Sequence, residues 1–174
     1  MNPDAKSTPT PAGAVQPALP GHEAPSPEGG GSDTQCATTG GRSIVLDTNI
    51  VLDVWVFNDS ASLPLKRKLL AGELDWLVTQ PMRDELARVL EYPKIRPRLA
   101  FYQLTAENVL AAFDQHARLV EVAGKCLITC RDPDDQKFID LAAAHQALLL
   151  SKDRHLLSLK KRLLAQGIRA QAAM

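Results

Sequence analysis

The chain of 174 residues reads, over most of its length, as an α/β protein with helices packed on both faces of a central parallel sheet. Three observations predict this. Short apolar runs alternate with segments whose apolar residues recur at helical spacing. Each run stops abruptly at polar residues, as a strand buried on both faces does when it leaves the sheet. Acidic side chains follow the runs or open the next helix, and in a parallel sheet those positions share one edge, the edge where ligands bind.

The elements follow in order. Ile44-Val45-Leu46, entered from Gly40-Gly41, predicts a strand over 43–46, ended by Asp47-Thr48-Asn49. Helical spacing over 50–57 is broken by Asn58-Asp59-Ser60, and a second helix over 63–71 ends at Gly72. Trp76-Leu77-Val78-Thr79 is the next strand. Pro81 suits a first helical position, and Met82, Leu86, Val89 and Leu90 form one face of a helix that stops at Tyr92-Pro93. Thr105 can cap a helix to about residue 116, followed by a short strand over 119–122. Asp132-Pro133 opens a helix to about 146, and 147–150 is a strand. A helix over 155–166 ends at Gly167, with Lys160-Lys161-Arg162 near its negative end, and 168–170 is an edge strand.

Residues 1–42 differ in kind. They hold 7 of the 12 prolines, 7 of the 10 glycines and none of the aromatic residues. Such a segment buries too little apolar surface to offset its ordering entropy, so a disordered Pro/Gly/Ser/Thr-rich tail is expected over 1–42 and a single folded domain over 43–174. The tail lacks the basic start and apolar stretch of a signal peptide. Lys+Arg and Asp+Glu both number 20, so no overall charge excess points to nucleic acid or membrane. No run approaches the roughly 20 apolar residues of a spanning helix. Cys36, Cys126 and Cys130 are too few for a disulfide scaffold and lack zinc-ligand spacing, which favours a reducing compartment, the cytoplasm.

Four acids belong to the expected ligand-binding edge. Asp47 follows the first strand, and Asp153 follows the 147–150 strand just beyond Ser151. Glu85 and Asp135 lie early in helices. At about 100° per residue, Glu85 borders the Met82/Leu86 face while Asp84 points away, and Asp135 shares a face with Phe138, Ile139 and Ala142 while Asp140 points to water. Asp132 suits the N-cap of that helix, with Asp135 at its third position. Several ionised carboxylates in one half-buried site repel one another, and a hard divalent cation, Mg²⁺ or Mn²⁺, resolves the conflict. Metal-assisted hydrolysis of a phosphodiester is the matching reaction class, with Asn49 and Ser151 orienting water or a ligating carboxylate.

Val45-Leu46-Asp47-Thr48-Asn49, Met82-Arg83-Asp84-Glu85-Leu86, Arg131-Asp132-Pro133-Asp134-Asp135 and Leu149-Leu150-Ser151-Lys152-Asp153, in this order and spacing, resemble the PIN-domain family over about 43–170. The likeness is greatest to the toxins of bacterial toxin–antitoxin systems. The resemblance implies a three-layer α/β/α sandwich and an Mg²⁺- or Mn²⁺-dependent endoribonuclease that leaves 5′-phosphate and 3′-hydroxyl ends. It implies Asp47, Glu85, Asp135 and Asp153 as catalytic and metal-binding acids, Asn49 and Ser151 as supporting residues, an antitoxin that blocks the crevice, and a homodimer as a candidate assembly.

Arg83, Arg131, Lys152 and Arg154 flank the acids and are candidate RNA phosphate contacts. Lys94, Arg96 and Arg98 form a further basic stretch broken by Pro97, and Trp55, Val56 and Phe57 are apolar candidates for self-association. His116, His145 and His155 lack metal-ligand spacing, and His145 continues a helical apolar face, so a packed histidine is expected. Two other functions stay open. A catalytically silent nucleic-acid- or partner-binding module is possible on the same fold. A phosphatase of the haloacid dehalogenase type would want a second aspartate at position 49, where Asn49 stands.

Overall fold

The structure is a computed structural model in which residues 41–173 are described. Its centre is strand β1 (Arg42–Leu46). Ile44, Val45 and Leu46 are each at most 3% exposed. Successive strand residues point to opposite faces, so both faces of β1 are covered, as its unbroken apolar run requires. Helix α1 (Thr48–Trp55), a 3₁₀ turn (Ser60–Ser62) and helix α2 (Leu63–Leu70) lead to β2 (Leu74–Val78). Helices α3 (Gln80–Leu90), α4 (Arg96–Phe101) and α5 (Ala106–His116) lead to β3 (Ala117–Leu119). A long loop and helix α6 (Gln136–Ala144) return the chain to β4 (Leu148–Leu150), and α7 (Arg154–Ser158) and α8 (Lys160–Ala165) precede β5 (Ala170–Gln171).

The five strands are parallel in the order β3-β2-β1-β4-β5. The chain steps outward from β1 through β2 to β3, then crosses back to β4 and steps outward the other way. Right-handed crossovers therefore put α1 to α5 on one face and α6 to α8 on the other, giving the three-layer α/β/α arrangement. The direction of winding reverses between β1 and β4, and the crevice at the carboxyl ends of those two strands is the fold's natural ligand position.

The expected strands and most helices are present, the strand expected over 119–122 lying at Ala117–Leu119, with three further differences. Pro97 lies in the first turn of α4, where its missing N–H has no helical partner to lose, so it begins a helix instead of breaking the basic stretch. The expected helix over 155–166 is two helices meeting at Leu159. Ser158 Oγ donates to the His155 carbonyl at 2.6 Å, competing with the helical ladder at the break. Helix α6 begins at Gln136. Thr105 caps α5 with a reciprocal capping box to Asn108. Gly72 and Gly167 follow α2 and α8 at φ +67° and +80°, a conformation L side chains resist. Of the tail expected over 1–42, residues 1–40 lie outside the described residues, as does Cys36, and Arg42 already belongs to β1. Among the described residues no helix is long and apolar enough to cross a membrane.

Val56 is 1% exposed, and Trp55 stacks on His116 at 5.3 Å between ring centroids. These two residues pack within the domain, which removes the exposed apolar patch expected at 55–57. His145 is exposed at the end of α6, because that helix stops at Ala144 and no longer carries residue 145 on its inner face.

Leu149, on β4, is fully buried, whereas Leu164 on α8 is more than half exposed. Leu149→Ala is expected to lower unfolding free energy by about 3 kcal/mol, and Leu164→Ala by less than about 0.5 kcal/mol. Urea unfolding followed by circular dichroism measures both; equal losses would contradict the buried centre described here.

Candidate active site

The end of β1 delivers Asp47 to the crevice. Its amide donates to the Leu150 carbonyl at 2.9 Å, extending the β1–β4 pairing by one rung. Asp47 stands at the N-cap of α1, yet its side chain makes no capping bond. It turns instead to β4, where the wholly buried Ser151 hydroxyl donates to Asp47 Oδ2 at 2.8 Å. The same Ser151 oxygen accepts from the Asp153 amide at 3.0 Å. One hydroxyl therefore ties the first acid to the turn that carries the last. Asn49 is exposed and reaches Asp47 Oδ2 only at 3.5 Å, a weak contact.

Asp153 caps α7: one carboxylate oxygen accepts from the amides of His155 at 2.7 Å and Leu156 at 3.1 Å. Glu85 lies in the second turn of α3, half-buried, while Asp84 is exposed and accepts from Gln80 Nε2. Thr48 Oγ1 donates to Glu85 Oε1 at 2.7 Å, and the Lys137 ammonium pairs with Glu85 Oε2. Neither Thr48 nor Lys137 is a residue that spacing alone marks. Thr48 sits within the Asp-Thr-Asn triplet but meets an acid 37 positions away, a contact that only the packing of α1 on α3 creates.

Asp135 occupies the N-cap position of α6, also without a capping bond. This corrects the expected start: Asp132 is exposed and closes a turn by accepting from the Asp134 amide at 2.9 Å. The turn over 132–135 delays the helix, so Asp135 precedes it instead of standing at its third position. The loop before it is latched by Gln136, whose Oε1 accepts from the Cys130 amide at 2.7 Å and whose Nε2 donates to the Ile128 carbonyl at 2.9 Å and to Asp140 Oδ1 at 2.7 Å. Asp140 also accepts from the Cys126 amide. It is only 8% exposed, contrary to the expectation that it points to water. A single helix wheel does not contain the loop that folds over it. Cys126 is half-buried and Cys130 buried.

The acids feel one another. Burial, with a smaller contribution from the charge of Glu85, raises the Asp47 carboxyl above its usual range, against the lowering effect of its bonds to Ser151 and Asn49. Asp135 is pushed up to about 6, by burial first and then by the charges of Asp47, Asp153 and Asp132. Asp47, Glu85, Asp135 and Asp153 thus belong to one electrostatic neighbourhood at the β1/β4 crevice. The donors are all hard oxygens whose repulsion a divalent cation would relieve, a set that fits Mg²⁺ or Mn²⁺ in kind. Among the described residues, however, no three His, Cys, Asp or Glu side chains are grouped closely enough to hold an ion together. Glu85 and Asp153 are engaged by other partners.

The flanking cations divide into two kinds. Arg83 makes a two-pronged ion pair with Asp114 at 2.7 Å, and Lys152 pairs with Asp53 at 2.7 Å and Asp59 at 3.1 Å. Arg131 and Arg154 are exposed, and Arg131 lines an open hollow with Asp132, Pro133 and His155.

Comparisons with known proteins agree with this fold. A sequence model described as the PIN domain matches residues 43–155. Among solved structures, the chain resembles one in the crystal structure of VapBC2 from Rickettsia felis bound to a DNA fragment from their promoter, with a TM-score of 0.50 and 16% sequence identity over 74% of this chain and 97% of that one. At that identity the likeness concerns the fold. No curated protein matches the chain in sequence.

The repulsion at Asp135 predicts a pH-dependent stability. An acid whose folded pKa is raised opposes folding once ionised, so the penalty is absent below about 3.8, grows as pH rises, and is complete above about 6. Asp135→Asn is expected to stabilise the metal-free protein by about 1 kcal/mol at pH 7.5, reduced from the full shift because solvent screens a half-exposed group. By pH 4 the gain should vanish. Urea titrations in chelator at the two pH values test this, and a variant no more stable than wild type at pH 7.5 would refute it.

Proposed function

This chain belongs to the PIN-domain family, and from that premise we propose that it is a divalent-metal-dependent endoribonuclease acting as the toxin of a toxin–antitoxin pair in the cytoplasm. The observation that carries the proposal is the pair of N-cap aspartates, Asp47 and Asp135, whose carboxylates cap nothing. A capping role would have explained both acids. Instead each is held at a helix start, where the positive end of the helix favours an anion, and Asp47 Oδ2 is aimed by the Ser151 hydroxyl.

In this reading Asp47, Glu85, Asp135 and Asp153 would hold Mg²⁺ or Mn²⁺. Such an ion supplies Lewis acidity toward a phosphate oxygen and lowers the pKa of a bound water. Ser151 fixes the direction of Asp47 from beneath and keeps the Asp153 turn in register with it. Arg131 and Arg154, both exposed, are the favoured contacts for backbone phosphates of RNA. Arg83 and Lys152 would first have to leave their carboxylate partners. The antitoxin partner follows from the family resemblance, and so does the candidate homodimer. One observation favours the silent binding module: Glu85 is fully partnered by Thr48 and Lys137.

Cleavage of a single-stranded RNA by the purified chain separates the two readings. Activity is expected with Mn²⁺, none with chelator, and a loss of at least about a hundredfold in Asp47→Asn, since the acid serves charge stabilisation worth several kcal/mol. Ser151→Ala should lose less, because it disturbs the orientation of Asp47 without removing it. RNA binding without cleavage, unchanged by Asp47→Asn, would establish the binding module instead.

A further inference from the structure

Lys137 is used by none of the roles assigned so far, yet it stands in the midst of them. It is in the first turn of α6, two residues after Asp135. Its ammonium pairs with Glu85 Oε2, donates to the Asp134 carbonyl, and lies 4.9 Å from the centre of the Phe138 ring. The side chains of Lys137 and Glu85 are 22% and 21% exposed, so water screens the pair only in part. The other oxygen of Glu85 is taken by Thr48. Arg83 and Lys152 are bound to Asp114, Asp53 and Asp59, none of which belongs to the quartet. Among the described residues, Lys137 is the one whose ion pair is to a quartet acid. Its charge also acts on Asp135, opposing the surrounding carboxylates.

We propose that the Lys137 ammonium is the resident counter-cation of the acidic crevice, competing with a divalent cation for Glu85 and so setting the concentration at which metal loads. The inference rests on the reading of the four acids as metal ligands. A carboxylate oxygen held by an ammonium is not free to ligate, and a second positive charge beside the site repels an incoming cation. Both effects act in the same direction, weakening metal binding. They also offset, without metal, the charges of Asp47, Asp153 and Asp132 that bear on Asp135. Metal entry would then release Lys137 from Glu85, leaving the ammonium tethered at the crevice by α6.

Mn²⁺ binding to the full chain, by titration calorimetry and by the electron paramagnetic resonance signal of free Mn²⁺, tests this at fixed pH without recourse to activity. Lys137→Met keeps the stem that packs by Phe138 and removes the charge; Lys137→Gln does so with a polar end, and serves if Lys137→Met does not fold. Either is expected to bind Mn²⁺ about three- to tenfold more tightly than wild type, the range a partly screened ion pair provides. Lys137→Arg, which keeps the charge, should stay near wild type. If wild type binds Mn²⁺ and both neutral variants bind equally or more weakly, the competition is overturned while the acidic site stands. If wild type and the neutral variants all fail to bind millimolar Mn²⁺, no better than Asp47→Asn, the metal reading and the competition fall together.

Discussion

Where β1 and β4 end side by side, a buried serine hydroxyl stands between two acids: it donates to Asp47 and accepts from the amide of Asp153. Everything at the crevice is referenced to this contact. It requires the two strands to be neighbours in register, which the parallel pairing of Leu46 with Leu150 secures. It requires the chain to have crossed from β3 back over the sheet, so that α6 arrives with Asp135 on the opposite layer from α1 and α3. It also holds Asp47 within a buried setting, where a carboxylate is expensive unless hydrogen-bonded. A serine can satisfy both duties because its oxygen donates once and accepts at the same time.

The rest of the crevice manages charge. Burial and mutual repulsion raise Asp47 and Asp135; the bond from Ser151 opposes this at Asp47 and the charge of Lys137 at Asp135, while Thr48 and Lys137 both engage Glu85. Among the described residues these acids do not form a closed ligand set. Beyond the acids, the Gln136–Asp140 latch on Cys126, Ile128 and Cys130 keeps the loop that presents Asp132 to Asp135 against the domain.

The chain belongs to the PIN-domain family, and it shares its fold with the Rickettsia felis structure at 16% identity over nearly the whole of that chain. A parallel sheet of this kind sets a geometric frame: strands end at one edge, and helices begin there. Function then depends on which side chains occupy those few positions, and here the occupants are acids.

Much of this was legible in the residue order alone. Ile44-Val45-Leu46 and Leu148-Leu149-Leu150 are apolar without alternation, which only a strand covered on both faces tolerates, and this determined the parallel sheet and with it the edge shared by Asp47, Glu85, Asp135 and Asp153. Thr105 and Gly72 marked helix limits because capping and left-handed backbone are local chemistry. Local rules failed where distant segments intervene. Asp140 looks solvated on its own helix and is buried by a loop; the helix expected to be capped by Asp132 starts three residues later because a turn comes first; His145 lies just past a helix end; and the partners of Glu85, Thr48 and Lys137, come from two other helices. Residue order decides which side chains reach the crevice, since period and capping are properties of neighbours in the chain. Which of those side chains are bonded, paired or left free is decided by contacts between segments tens of residues apart, and those exist only once the layers have packed.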